Sequence, residues 1–101
     1  MSVFITQLIY IKPGSEKVFD EFENIAIPLI AKYDGKLNLR IRPGQDTVIA
    51  ANAEPPYELH VVEFPSEDAF LRFMKDEERQ KFLHLKEASI RSSVLIKGRL
   101  I

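Results

Sequence analysis

The chain has 101 residues, a length that suits one domain with a single hydrophobic core and is too short for two. A formal net charge of −1 excludes the strongly basic surface typical of proteins that bind nucleic acid or anionic membranes. The chain contains no cysteine, so disulfides, thiol nucleophiles and cysteine-based metal sites are also excluded. We expect one α+β domain over residues 1–101.

The first segment, "MSVFITQLIYI", is predicted to be a strand. It lacks a basic leader and a small-residue cleavage site, and it is far shorter than a membrane span, which favours a cytoplasmic protein. The run from Val3 to Ile11 is rich in β-branched and aromatic residues and ends before Pro13-Gly14, as strands often do. Both of its faces carry apolar side chains.

A long helix is predicted next, with Ser15 as its N-cap. Pro28 interrupts the apolar stripe and predicts a kink, and Asp34-Gly35 ends the helix with Gly35 suited to a left-handed conformation. The stripe repeats at intervals of one, three and four residues. Its members are Val18, Phe19, Phe22, Ile25, Ala26, Leu29, Ile30 and Tyr33.

The segment "KLNLRIR", residues 36–42, alternates strictly and predicts an edge strand with one wet face. The leucines and Ile41 are expected on one face, and the lysine, asparagine and arginines on the other. In the stretch that follows, "TVIAA" suggests a short extra strand between a turn and a loop. Residues 44–56 are interpreted either as a lid or as part of a dimer seam.

The segment "YELHVVEF", Tyr57–Phe64, predicts a strand that is apolar on both faces. Tyr57, Leu59 and Val61 are expected on one face, and His60, Val62 and Phe64 on the other. Ser66 then predicts the start of a helix, and Asp76 the cap of a further helical segment. Residues 93–101 form the last predicted strand.

The order β-α-β-β-α-β indicates a ferredoxin-like sandwich, in which a four-stranded antiparallel sheet carries both helices on one face. The first and third strands are expected to be the central pair, and both are apolar on two faces, yet the helices cover only one. Leaving the other face wet would expose several hundred Å² of apolar surface, whose burial is worth on the order of 10 kcal/mol. We therefore predict a homodimer that packs sheet against sheet.

Two segments resemble a bacterial family of unknown function within the dimeric α/β-barrel superfamily. "KYDGKLNLRIRPG" is similar to that family's Tyr-Gly-Gly-Lys/Arg-x-Leu-x-Arg segment, and "VVEFPSEDAF" to its strand-to-helix signature, in which Glu63, Phe64, Pro65 and Ser66 match. The resemblance covers roughly residues 3–98. It implies a ferredoxin-like monomer, a dimer whose two sheets form a barrel, and a pocket between sheet and helices in each subunit.

The characterised members of this superfamily include small monooxygenases, haem-degrading enzymes and polyketide cyclases. By resemblance, Gln7 stands where haem-degrading members have a strand-one Asn, and Phe73 where they have a helix aromatic. Their helix His would align near Leu83, one residue from His84, and the cyclase Tyr/His pair would fall near Phe73 and Arg79. None of these chemistries transfers intact, so no cofactor is predicted.

His60 is the candidate catalytic residue, a general base with Glu58 two positions away on the same strand face. The alternative is a partly buried histidine satisfied by a hydrogen bond. Arg79 is a candidate clamp for a ligand carboxylate, against which stands an exposed pairing with Glu78 or Asp76. His60 and His84 are too sparse for a metal site.

Gln7 is polar within an apolar strand and makes either a structural hydrogen bond or a ligand contact. Phe22 and Phe73 line an aromatic ligand pocket or belong to the ordinary core. Glu63 and Tyr57 are expected to face the partner sheet, with Arg40 as a possible partner of Glu63.

Two functions remain open. In the first, the dimer binds a small apolar or aromatic organic molecule between sheet and helices, and acts as a cofactor-independent monooxygenase- or isomerase-like enzyme. In the second, it is a non-catalytic interaction module. An open cavity at His60, with Gln7 or Arg79 converging on it, favours the first; a space filled by phenylalanine side chains favours the second.

Overall fold

In the computed structural model the chain alternates strands and helices in the predicted order. The structure describes residues 1–101, apart from the side chain of Gln45. The elements are β1 (Val3–Ile11), α1 (Glu16–Lys32), β2 (Lys36–Ile41), β3 (Glu58–Phe64), α2 (Glu67–Met74), α3 (Glu77–Lys81), α4 (Leu83–Ser89) and β4 (Ile90–Gly98). The second helix of the simple βαββαβ scheme is therefore three consecutive short helices.

The sheet is antiparallel throughout, in the order β2-β3-β1-β4, so the prediction of β1 and β3 as the central pair is confirmed. Val3 pairs with Phe64 and Ile9 with Glu58, which places odd residues of β1 beside even residues of β3 on the helix-covered face. Apolar side chains on that face form the core with α1 and α2. The core cluster comprises Val3, Ile5, Leu29, Ile30, Val62, Phe64, Ala69 and Phe73.

The opposite side of the sheet, called here the open face, has no covering helix. Phe4 and Leu8 of β1 and Leu59 and Val61 of β3 are half-buried there, in the monomer, by their strand neighbours alone. The flanking strands add exposed apolar side chains to the same face. These are Leu39, Ile41, Val94 and Ile96.

A β-bulge changes the facing of β2 relative to the strict alternation of its sequence. Leu37 pairs with Val62, but Leu39 pairs with Val61, so Asn38 is an extra residue between the two pairs. Leu37 therefore packs against the core, whereas Leu39 turns to the open face and is 51% exposed. The prediction of a single leucine face was wrong, because a bulge inverts the facing of every later residue.

Two further expectations require correction. The stretch predicted as the short strand "TVIAA" contains no strand among the described residues; a single 3₁₀ turn lies at Gln45–Thr47. Tyr57 does not join the open face: it precedes β3, and its ring packs edge-on against Phe19 of α1 at 5.7 Å between centroids. Among the described residues, no helix combines the length and apolar character needed to cross a bilayer.

Helix caps agree with the sequence at two of three positions. The Ser66 hydroxyl accepts the Ala69 N–H at 3.1 Å, and an Asp76 carboxylate oxygen accepts the Arg79 N–H at 3.0 Å. Ser15 occupies the cap position of α1, but its side chain makes no capping bond. α1 continues through Pro28 to Lys32.

Candidate functional site

A cavity of about 80 Å³, called here the inner cavity, lies between the helix-covered face of the sheet and the helices. Sheet residues Gln7, His60 and Val62 form one wall, and side chains of α1 to α4 form the other. Much of the lining is apolar, including Ile5, Ala26, Ile30, Phe64 and Leu95. Phenylalanine side chains therefore border this space without filling it.

The structure brings five of the six sequence-predicted site residues to the inner cavity, His60 among them. Gln7 lines it from β1, directly opposite His60 in the strand register, and Phe22 and Phe73 line it from α1 and α2. Arg79 joins them from α3. Glu58 lies behind His60 and does not line the cavity.

His60 is 4% exposed, and its Nε2 atom makes a short hydrogen bond with Glu58 Oε2. Glu58 is fully buried and also accepts hydrogen bonds from Arg40 Nε at 2.9 Å and from Arg42 Nη2 at 2.6 Å. Both arginines reach this carboxylate because of the bulge at Asn38. Arg40 thus pairs with Glu58, not with Glu63 as expected, and Glu63 accepts a bond from Asn38 at 3.3 Å.

The carboxylate of Glu58 is held ionised by this network. Burial alone would raise the pKa of Glu58, but hydrogen bonds from His60, Arg40 and Arg42 outweigh burial and lower it to about 2. A carboxylate that is hydrogen-bonded to a histidine fixes the orientation of the imidazole ring. The pair therefore has the geometry of an oriented acid–base group facing the cavity.

Arg79 is 7% exposed, so its predicted exposed pairing with Glu78 or Asp76 is not what the guanidinium does. Only its backbone N–H bonds to Asp76. The guanidinium carbon lies 5.3 Å from the Phe73 ring centroid and 5.8 Å from that of Phe22. Arg79 therefore presents a buried cation to the cavity between two aromatic rings.

Two titratable residues of the cavity were missed from the sequence, Glu23 and Lys86. Burial raises the pKa of Glu23, and burial lowers the pKa of Lys86, with repulsion from Arg79 adding to the effect. The sequence carried a signal for Glu23: it lies four residues after Phe19 and three before Ala26, and so belongs to the apolar stripe of α1. A charged residue inside such a stripe points to a buried polar site.

His84 is exposed on α4, with its ring 6.3 Å from that of Phe82, and does not reach the inner cavity. In the described part of the chain, no three acidic or histidine side chains cluster in a way that could hold a metal ion. The chemistry available at the inner cavity is thus hydrogen bonding, charge pairing and proton transfer.

Comparison with known proteins places this fold in a wider group. A family model described as "Domain of unknown function (DUF1330)" matches residues 7–99. No curated protein matches the chain. A solved structure of RPA0582, a protein of unknown function from Rhodopseudomonas palustris, is similar with a TM-score of 0.83 at 16% identity, covering 99% of this chain and 82% of that one.

Two other solved structures are similar over nearly the whole length of both chains. One is a dimeric ferredoxin-like protein of unknown function from Jannaschia, with a TM-score of 0.75, 14% identity, and coverage of 99% and 100%. The other is a dabb family protein with a ferredoxin-like fold from Mesorhizobium loti, with a TM-score of 0.71, 14% identity, and coverage of 99% and 97%. At these identities the similarity shows the fold alone, and the predicted ferredoxin-like α+β fold is confirmed.

Proposed function

We propose that this chain, which belongs to the family described as a domain of unknown function (DUF1330), binds a small organic molecule in the inner cavity. The observation that carries this proposal is the convergence of Gln7, His60 and Arg79 on one largely apolar cavity. The lining accepts an apolar or small aromatic body, and the three polar side chains orient it.

In this proposal His60 is the acid–base group, oriented from behind by Glu58. Of the two reaction classes suggested by the sequence, isomerase-like chemistry demands less. It needs one group that removes a proton and returns it to another atom of the ligand, whereas a monooxygenase also consumes O₂. A non-catalytic interaction module is the alternative, and it replaces this proposal if the cavity binds nothing.

Ligand binding is tested by filling the cavity. Ala26 is 5% exposed and borders the cavity, so Ala26→Leu places a larger side chain in the empty space. We expect the wild type to show saturable NMR shifts with at least one member of a panel of phenol, indole, benzoate, isovalerate and isovaleramide. Ala26→Leu should show none of those shifts, while its NMR spectrum remains that of a folded protein.

Ala31→Leu is the matched control, because it makes the same change at an exposed position of α1. It should bind as the wild type does. Absence of binding by every panel member, neutral and anionic alike, contradicts the proposed function. For a compound that binds, unchanged affinity but lost turnover in His60→Gln would assign the acid–base role.

We also propose that two copies pack through their open faces. Two similar solved structures, from Jannaschia and Bacteroides fragilis, are described as dimeric ferredoxin-like proteins, which supports a dimer of this chain. The uncovered apolar side chains of the open face locate its interface. Leu59 pairs with Leu8 at the centre of the open face, so Leu59→Glu places a charge where the second sheet would lie.

Analytical ultracentrifugation should show a wild-type dimer at micromolar concentration and a monomer for Leu59→Glu. Leu71→Glu, at an apolar position on α2 that is 47% exposed, should remain dimeric. A folded wild-type monomer at that concentration would contradict this assembly.

A further inference from the structure

Arg79 is anchored in a way that leaves most of its side chain's hydrogen-bonding capacity unused. Its backbone is tied to Asp76 at the start of α3, and its Nη1 donates to the Met74 carbonyl at 3.3 Å. Nε is buried and has no partner among the described residues. A guanidinium keeps its charge at any ordinary pH, and burying it with unmet N–H donors is unfavourable.

None of the described ion pairs joins Arg79 to another charged side chain of the inner cavity. Lys86 is a second cation in the lining, and none of the described ion pairs includes it. Glu23 is the acidic side chain of the lining, and it too makes no described ion pair. Burial raises the pKa of Glu23, and attraction to His60 and Arg79 acts against this rise. Glu58, behind His60, is already compensated by Arg40 and Arg42.

The inner cavity thus presents two cationic side chains against one acid, and an apolar wall that includes Ile5, Ile30 and Val62. A ligand with a single negative charge and a short apolar body complements both features. A carboxylate matches the planar fork of a guanidinium and accepts two parallel hydrogen bonds from it.

The volume limits the size of that body. A dry engineered cavity of about 150 Å³ accommodates benzene. The inner cavity, at about 80 Å³, encloses a smaller body, so the remaining atoms of an aromatic ligand lie toward the exposed lining residues Ser93 and Leu95.

The geometry points to a short-chain monocarboxylate as the ligand of the inner cavity, with its carboxylate bound by the side chain of Arg79 and its carbon chain against the apolar wall. This inference rests on the proposed function and specifies its ligand class. Lys86 is the other cationic side chain of the lining, and it strengthens the attraction between the cavity and a negatively charged ligand.

The test compares isovalerate with isovaleramide, a neutral molecule of nearly the same shape. NMR titration at pH 7 should show that the wild type binds isovalerate about tenfold to a hundredfold more tightly than the amide, as expected for a charge-assisted hydrogen bond. Arg79→Met should remove this preference, because it weakens isovalerate binding far more than amide binding. Arg79→Lys keeps the charge but not the fork, and should retain part of the preference.

Arg72→Met is the matched control. Arg72 is an exposed cation on α2 that pairs with Asp68, outside the inner cavity, so the same substitution there should leave the preference intact. The NMR spectrum of each variant reports whether it is folded, and its binding of the amide reports whether the inner cavity still accepts a ligand.

Equal affinity for acid and amide, a preference that survives in Arg79→Met, or tighter binding of inorganic phosphate would each overturn the carboxylate assignment. In those outcomes binding of the amide or of phenol keeps the proposed function standing. If isovalerate does not bind, the carboxylate inference fails, whereas the proposed function fails only if the neutral members of the panel fail as well.

Discussion

Replacing Glu58 with glutamine should lower the free energy of unfolding by about 3 kcal/mol at pH 7. The wild-type carboxylate is fully buried and bonded to Arg40, Arg42 and His60. Glutamine keeps the shape but not the charge, so it leaves the cationic groups around it without their counter-ion. The half-exposed arginines can turn toward water, which keeps the loss from being larger.

The effect depends on pH with a definite sign. The pKa of Glu58 falls from its ordinary value of 4.5 to about 2 on folding, and this difference corresponds to about 3 kcal/mol. Because the folded pKa is the lower one, the stabilisation is complete above pH 4.5 and is lost as the pH falls toward 2. The gap between wild type and Glu58→Gln should therefore close over that interval.

Urea unfolding followed by circular dichroism between pH 7 and pH 3 measures this gap. Glu63→Gln is the matched control, because Glu63 is a half-buried glutamate on the same strand but the other face, with one hydrogen bond from Asn38. Its substitution should cost less than about 1 kcal/mol at every pH. Parallel pH curves for wild type and Glu58→Gln would contradict the assigned network.

The sequence predicted the fold because its patterns are local. Alternation in β1 and β3 separated the two faces of the sheet, and Ser66 and Asp76 marked helix starts that the structure confirms. The resemblance to a family of unknown function is confirmed as well. The bulge at Asn38 was not predictable from alternation, since inserting one residue into a ladder leaves the polar pattern of β2 unchanged.

The candidate site was predicted in part for the same reason. Gln7 and His60 were found because each is a polar residue on the apolar face of a strand. Arg79 was a candidate carboxylate clamp, but its burial was not predicted, because whether an arginine in the run "KDEERQK" is buried depends on how a five-residue helix docks on Phe22 and Phe73. Lys86 needs the same tertiary information, since α4 must pack before its stem is buried.

The end of α1 shows how a correct turn prediction can assign the wrong role to a residue. The pair Asp34-Gly35 marks the helix end, but the residue with positive φ is Asp34, at 61°, and not Gly35. Gly35 is required for space: a Cβ there would lie 2.7 Å from Ile30 Cγ2 and 2.8 Å from Phe64 Cε1. Its N–H also bonds to the Ile30 carbonyl at 3.0 Å.

Gly35→Ala should therefore lower the free energy of unfolding by about 3 kcal/mol, because a methyl group must displace two core side chains. Asp34→Gly should leave it unchanged or raise it by up to about 1 kcal/mol, since glycine tolerates positive φ more readily than aspartate does. Gly98→Ala, at a site in β4 with no atom within 4 Å of the added methyl group, is the control and should be neutral.

Chemical unfolding of the three variants separates the two explanations of this turn. If glycine were required at position 35 for its backbone conformation, the φ angle there would exclude any residue with a Cβ. Asp34→Gly would then not raise the free energy of unfolding. If Gly35 serves packing, the cost of Gly35→Ala should fall when Ile30→Leu, a change of nearly equal volume, removes the γ2 methyl that the added Cβ would meet. Because residues that share a contact are not additive, a double mutant less destabilised than the sum of its single changes would identify the packing contact directly.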